Sequence, residues 1–160
     1  MNSNMTYDNF WQLSESRRLE FKKSWPKGDK IAQTAIAFAN GAGGKIIFGI
    51  KNEPREVIGI PQEDIFALEE KAANNIFDIS TPPIVPEIYI QNIEGKSVLV
   101  VKIFPGSQKP YYIKKLGKQK GTYVRIGSVN RLASEEILLT LELEKRKISY
   151  DQVIVYDIEA

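Results

Sequence analysis

The sequence contains no cysteine and no histidine. The absence of cysteine excludes disulfide bonds and thiolate metal sites, and the absence of histidine removes the commonest general base and metal ligand. Any chemistry must therefore use carboxylates, lysines or hydroxyl groups, and we expect no resident cofactor. A chain without disulfides is compatible with a reducing cytoplasm, which is the location we expect.

Long hydrophobic runs are also missing. No apolar stretch approaches the length needed to cross a membrane, and the N-terminus shows no basic segment followed by an apolar one, so we expect no membrane association. Hydrophobic residues nevertheless make up 42% of the 160 positions and charged residues 26%. This balance is typical of a folded single domain with a substantial core.

The most apolar stretch, 31–50, predicts the centre of the fold. Ile31, Ala35 and Phe38 recur at helical spacing, and the alanines beside them make the helix apolar around most of its circumference. The nearly unbroken apolar run at 46–50 predicts a strand that is covered on both faces. Helix and strand together form the predicted core unit.

Asn40, Gly43 and Gly44 form the predicted turn between this helix and strand, because these residue types tolerate positive φ. Glycines beside Lys45 suggest a phosphate loop, but such a loop leads from a strand into a helix, whereas this one leads from a helix into a strand. The order of elements therefore argues against an ATP site, and we expect no ATP binding.

The remaining patterns predict an α/β (α+β) domain with a mixed, largely antiparallel sheet and two to three packed helices. The predicted strands lie at 19–22, 46–50, 57–60, 87–93, 98–104, 111–114 and 122–126, and further helices lie at 64–76 and from Ser134 onward. Ser134 is the predicted N-cap of the last helix, since two glutamates follow it in the first turn.

Positive charge is concentrated in one part of the chain. The stretch 105–134 has no acidic residue, and its cations are Lys109, Lys114, Lys115, Lys118, Lys120, Arg125 and Arg131. Tyr111, Tyr112 and Tyr123 are interleaved with them. A hairpin with lysines for phosphates and aromatic rings for bases would bind nucleic acid. The alternative is a solvated hairpin whose lysines protect its edges from aggregation.

Two carboxylates precede the central helix. Glu15 and Glu20 could hold Mg²⁺ or Mn²⁺, which prefer oxygen ligands, and Lys22 could assist phosphodiester cleavage or contact nucleic acid. A third carboxylate would be needed near the end of the central strand, where Glu53 is available. The alternative is that Glu20 and Lys22 form the exposed face of a short strand, with Leu19 and Phe21 pointing inward.

Several segments carry a family resemblance. They are ESRRLEFK at 15–22, AFAN at 37–40 with the following Gly43-Gly44, IFGI at 47–50, Gly59, YVRIGS at 123–128 and ASEEI at 133–137. In this order they resemble the Schlafen AlbA_2 domain, also called the divergent AAA-4 domain. The resemblance covers 13–147, which leaves 1–12 as an N-terminal extension and 148–160 as a tail that resembles the start of a further region.

The resemblance implies a DNA-binding α/β domain of the kind found in bacterial transcriptional regulators, whereas related animal domains cleave RNA with a carboxylate triad. Glu15 and Glu20 match the first two acids of that triad. The third is expected where this chain has Lys51 and Asn52, so only Glu53 could substitute, which disfavours nuclease activity. Arg125 is then either a phosphate or base contact or a structural arginine that bridges a strand to the last helix.

Three functional hypotheses follow. The first is a nucleic-acid-binding module, for DNA rather than RNA, whose contacts are Lys22, Lys114, Lys115, Lys118, Lys120, Tyr123, Arg125 and Arg131. The second is a nuclease with Mg²⁺ or Mn²⁺ held by Glu15 and Glu20, with Glu53 as a third catalytic acid. The third is an interaction or homodimerisation domain that uses an unpaired strand edge or the tail.

Overall fold

The computed structural model describes residues 15–145. Its strands are β1 (Leu19–Lys22), β2 (Gly44–Phe48), β3 (Ile50–Lys51), β4 (Glu56–Val57), β5 (Ser80–Thr81), β6 (Glu87–Ile93), β7 (Lys96–Ile103), β8 (Tyr112–Ile113), β9 (Tyr123–Ile126) and β10 (Val129–Leu132). Its helices are α1 (Lys30–Ala39), α2 (Gln62–Ile79) and α3 (Gly117–Gly121), with a 3₁₀ turn at Lys114–Leu116. A further helix, α4, covers 135–145.

A four-stranded sheet in the order β1-β2-β7-β6 forms the centre of the domain. The β1 and β2 strands are parallel and are connected through α1, whereas β2, β7 and β6 are antiparallel neighbours. Three two-stranded pairs, β3-β4, β5-β8 and β9-β10, surround this sheet. The predicted mixed and largely antiparallel α+β fold is therefore confirmed.

The central strand β2 is covered on both faces, as its continuous apolar run predicts. Ile46 and Phe48 belong to a core that includes α1 and α2, whereas Ile47 belongs to a second core with Phe21 and Val100 on the opposite face of the sheet. All three β2 side chains are fully buried. Burial of each such side chain contributes about 1.5–3 kcal/mol of transfer free energy.

The turn after α1 depends on its glycines. Gly43 has φ +80°, and a Cβ on Gly44 would lie 2.8 Å from the ring of Phe38. The prediction of positive φ is wrong for Asn40, whose φ is −75°. Its buried side chain instead donates from Nδ2 to the carbonyls of Tyr111 and Tyr123 and accepts the Tyr111 N–H at Oδ1, so it joins α1 to two distant segments.

The predicted hairpin between 111–114 and 122–126 is wrong. The β8 strand pairs with β5, and β9 pairs with β10, a strand absent from the sequence-based predictions. The lysine-rich connection between β8 and β9 folds into the 3₁₀ turn and α3. The β9 strand pairs with β10 because Gly127 and Ser128 form a two-residue turn between them, with Gly127 at φ +60°.

The other helices agree with their sequence signals. The α2 helix covers Gln62–Ile79 and therefore extends beyond the predicted 64–76 at both ends. Ser134 caps α4, because its Oγ accepts the Ile137 N–H at 3.3 Å. Within residues 15–145, none of the helices combines the length and the apolar character that a membrane crossing requires.

Candidate functional site

The first candidate site lies at β1, which carries Glu20 and Lys22 on the same face. The prediction that Glu20 points outward is wrong, since the residue is only 8% exposed. The β9-β10 hairpin supplies a partner for it from that face. Arg125 NH2 lies 2.6 Å from Glu20 Oε1, and Lys22 Nζ lies 3.1 Å from Glu20 Oε2. Both carboxylate oxygens are therefore engaged by cations.

The guanidinium of Arg125 is satisfied inside the protein. Its Nε donates to the carbonyl of Ser16, its NH1 donates to Asn130 Oδ1, and its NH2 also donates to the carbonyl of Leu19. The side chain is 2% exposed. This arrangement corresponds to the structural alternative for Arg125, although the residue joins β9 to β1 rather than to α4.

Asn130 extends this polar network to α1. Its Oδ1 accepts from Arg125, and its Nδ2 donates to Thr34 Oγ1 at 2.8 Å. Thr34 in turn donates to the carbonyl of Lys30 within the helix. Sequence reasoning missed Asn130 because it missed β10, although the Gly-Ser dipeptide at 127–128 between two β-rich segments is a hairpin signal.

Glu15 lies beside the same network. Its Oε1 accepts the N–H of Phe21 at 3.0 Å. Burial raises the pKa of the Glu15 carboxyl above its ordinary value, and the charge of Glu20 raises it further, whereas the Phe21 hydrogen bond and the charges of Lys22 and Arg125 lower it. The structure thus brings Glu15, Glu20, Lys22 and Arg125 together; we call these four residues the Glu20 cluster.

A three-carboxylate metal site is not formed by the part of the chain that the structure describes. Glu53 is exposed in the turn between β3 and β4, and residues 15–145 contain no group of three Asp, Glu, His or Cys side chains that could hold a metal ion. Within the Glu20 cluster, the cations already neutralise Glu20. The cluster is therefore suited to fixing β1 against β9 rather than to binding Mg²⁺ or Mn²⁺.

The second candidate site is the lysine segment, which we define as residues 114–120. It comprises the 3₁₀ turn and most of α3, and all four of its lysines, Lys114, Lys115, Lys118 and Lys120, are exposed. Lys115 Nζ lies 3.2 Å from Asp29 Oδ2, and Lys118 Nζ lies 3.5 Å from Glu142 Oε1. These two ion pairs connect the segment to the start of α1 and to α4.

Two lysines of the segment differ from Lys115 and Lys118 in their contacts. Lys114 and Lys120 have no carboxylate within ion-pair distance among the residues that the structure describes. Asp29, which holds Lys115, has the exposed Lys27 and Lys30 as near neighbours along the chain. The start of α1 and the lysine segment therefore form one surface on which positive charge exceeds negative charge.

The other cations and tyrosines of the acid-free stretch are placed differently. Tyr111 is buried, and its hydroxyl accepts the Gln108 N–H, while Tyr123 is half-buried against the α1 core. Lys109 is paired with Glu144 at 3.0 Å. Arg131 is exposed on β10. Tyr111 and Tyr123 thus belong to the packing around β8 and β9. The exposed charge of the stretch comes from the four lysines of the lysine segment and from Arg131.

A family model establishes what kind of domain this is. The model for the Schlafen AlbA_2 domain matches residues 15–134, which include the Glu20 cluster and the lysine segment. The chain belongs to the Schlafen AlbA_2 family. The family resemblance that the sequence segments suggested is therefore confirmed.

Relatives of this AlbA_2 domain differ in length and in name. An uncharacterised ATP-binding protein, UU034, from Ureaplasma parvum serovar 3 is 39% identical over 72 residues, which cover 41% of this chain and 20% of that protein. The chain thus matches about a fifth of the length of this curated relative. The name does not locate a nucleotide site in the present chain.

Solved structures share the fold. The N-terminal domain of a protein from Nitrosomonas europaea, named as related to the ATP-dependent DNA helicase RecG, is 28% identical with a TM-score of 0.58, covering 79% of this chain and 90% of that domain. The DIP2311 protein from Corynebacterium diphtheriae is 18% identical with a TM-score of 0.54, covering 73% of this chain and 25% of that one. The second likeness concerns the fold alone.

Proposed function

We propose that this AlbA_2 domain binds nucleic acid, with DNA preferred to RNA, through the lysine segment and the adjacent start of α1, as the binding module of a transcriptional regulator. The observation that carries the proposal is that Lys114 and Lys120 are exposed and have no ion-pair partner among residues 15–145. Lys115 joins their segment to Asp29, which stands between the exposed Lys27 and Lys30 in the chain. Exposed ammonium groups without carboxylate partners are available to neutralise phosphates and release counterions.

Membership of the AlbA_2 family and the helicase-related name of the Nitrosomonas fold relative support a role connected with nucleic acid. Tyr111 is buried and Tyr123 is half-buried against the α1 core, which leaves less of these two rings for base stacking at this site. Contacts from lysine to phosphate fix position but carry no sequence information. The binding that we propose is therefore electrostatic, depends strongly on salt and discriminates weakly between sequences.

The test is fluorescence anisotropy of labelled single-stranded and double-stranded DNA and RNA over a salt series. Replacement of Lys114 and Lys120 by Gln removes two phosphate contacts. The slope of log affinity against log salt, which is negative, should therefore become less negative by about 2. Lys102→Gln is the matched control. Lys102 alternates with Val101 and therefore lies, like Val100, on the face of the sheet that points away from α1. Equal affinity and slope in wild type and the double variant would refute the proposal.

The same samples, with and without Mn²⁺, should be examined on a denaturing gel. Intact strands are expected, since both oxygens of Glu20 are paired with cations. Metal-dependent shortening of the strands that disappears in Glu20→Gln would show that the domain is a nuclease rather than a binding module. The circular dichroism melt of each variant shows whether lost binding comes from lost folding.

A further inference from the structure

The two edges of the central sheet differ in how they are protected. The β1 edge is short, and Arg125 occupies the carbonyls of Ser16 and Leu19 there. The β6 edge runs over seven residues, Glu87–Ile93, and has no strand partner on its outer side among residues 15–145. Natural edges usually carry lysine, proline, a bulge or a cover that prevents pairing with another chain.

Within residues 15–145, the β6 strand contains no lysine, proline or bulge, and no strand pairs with its outer side. Its only charged residue is Glu87, which lies opposite Lys102 of β7 within the same sheet. All seven of its residues pair in continuous register with β7, so no bulge interrupts the strand. Ile90, at its middle, is 50% exposed. A regular edge that is uncharged from Ile88 to Ile93 and has an exposed isoleucine at its centre is suited to adding another strand.

The hairpin turn decides which backbone groups face outward. The β6 and β7 strands are joined by Glu94 and Gly95, both at positive φ, which is the conformation of a type I′ turn. In such a hairpin the closing pair, Ile93 and Lys96, exchanges hydrogen bonds, and bonded pairs then alternate along the strands. The N–H and C=O groups of Ile88, Ile90 and Asn92 therefore point to the free edge.

These three outward residues are symmetric about Ile90. We infer that a second copy of this chain pairs with β6 in antiparallel register about a two-fold axis at Ile90, which gives one continuous sheet of two domains. Ile90 then faces its own copy, and Ile88 faces Asn92 in two symmetry-related pairs, which makes three pairs in all. Each of these pairs exchanges two hydrogen bonds, so the strands share about six. A two-fold axis through one residue makes the contact self-complementary and closed.

Charge and side-chain pattern suit this register. Glu87 would lie opposite Ile93 of the partner, so the two glutamates do not meet. Tyr89 would lie opposite Gln91, and the half-buried aromatic ring of Tyr89 remains on the face of the second core. No pair in the register places like charges opposite each other, which is the arrangement that would oppose it.

The test is sedimentation velocity of the full chain over a concentration series, with variants at the two-fold axis. Wild type should dimerise. Ile90→Lys and Ile90→Glu each place two like charges face to face and should weaken the dimer by about tenfold or more. An equimolar mixture of the two variants places Lys opposite Glu and should restore a dimer. Circular dichroism melts check that each variant is folded.

Val129→Lys is the matched control, since Val129 is 49% exposed and lies on the separate β9-β10 hairpin. This control should remain as dimeric as wild type. A monomeric wild type throughout the concentration series would overturn the inference. Dimers that survive in Ile90→Lys, a mixture that fails to pair, or dissociation by Val129→Lys would also overturn it. None of these outcomes depends on nucleic acid, so the result is separate from the proposed binding function.

Discussion

Arg125 NH2 lies 2.6 Å from Glu20 Oε1, although 105 positions separate the two residues in the chain. The arginine side chain is 2% exposed and that of the glutamate 10%. The pair joins β1, the first strand of the sheet, to β9 near the end of the domain. Because both charges are largely removed from water, each depends on the other for compensation.

Arg125→Met should therefore destabilise the domain strongly. The variant leaves the Glu20 carboxylate with Lys22 alone and removes the donors to Ser16, Leu19 and Asn130. We expect a loss of about 3–5 kcal/mol in the free energy of unfolding, measured by urea denaturation. Glu20→Gln combined with Arg125→Met should cost less than the sum of the two single changes. Additive losses would show that the ion pair is energetically unimportant.

Glu15→Gln should change how stability depends on pH. The pKa of Glu15 is raised in the folded state, chiefly by burial. The folded protein therefore keeps the proton on the Glu15 carboxyl at a pH where the unfolded chain has released it. Stability contributed by Glu15 is therefore full at low pH and falls as pH rises through the unfolded and then the folded pKa. Gln keeps an acceptor for the Phe21 N–H but carries no charge.

The free energy of unfolding of the variant should thus match that of wild type near pH 4 and equal or exceed it at neutral pH. The gain should be at most about 0.5 kcal/mol, because the site is only partly buried. Urea denaturation at both pH values measures it. Glu53→Gln, at an exposed turn position, is the control. A variant that is less stable than wild type at neutral pH but not at low pH would contradict the prediction.

Asn40→Ala should be among the most damaging small substitutions. It leaves the N–H of Tyr111 and the carbonyls of Tyr111 and Tyr123 without their partners in the interior. We expect a loss of about 3 kcal/mol in thermal or urea unfolding, since each unsatisfied buried group is costly. Asn92→Ala removes only an exposed bond to the Gly95 N–H and should cost less than about 1 kcal/mol. Equal losses would contradict this account of Asn40.

Gly44→Ala tests the close approach of β2 to α1. The added Cβ would lie 2.8 Å from three ring atoms of Phe38, which is buried, so either the ring or the strand must move. We expect a loss of about 1–3 kcal/mol, measured as a lowered melting temperature. Gly41→Ala is the nearby control, because a Cβ there meets its nearest neighbour at 3.5 Å. A Gly41→Ala variant as unstable as Gly44→Ala would argue against the importance of the Phe38 contact.

The core could be predicted from the sequence because hydrophobic patterns are local. The apolar run at 46–50 and the spacing of Ile31, Ala35 and Phe38 each depend on neighbouring residues alone, and the structure buries them as predicted. The β6-β7 pairing could be predicted for the same reason, since only the short turn at Glu94 and Gly95 separates the two strands. Local periodicity thus accounts for the four strands of the central sheet and for α1 and α2, but not for the parallel pairing of β1 with β2.

The surroundings of the candidate sites could be predicted less well from the sequence. Alternation within β1 predicted an exposed Glu20, since no local signal shows that a hairpin more than 100 positions later covers this face. In the same way, the acid-free run at 105–134 gave no sign that Asp29, Glu142 and Glu144 would pair with its lysines. Long-range ion pairs are set by tertiary packing, which sequence spacing does not encode.

The three hydrogen bonds of the Asn40 side chain have a consequence for how the chain folds. They join positions 71 and 83 residues apart, so the closure of two long loops must precede them. The end of α1 forms from local contacts, but its polar terminus remains incomplete until β8 and β9 arrive. During synthesis, the Asn40 side chain can therefore form all three bonds only after Tyr123 has been added. The interior is completed only when the second half of the domain has been synthesised.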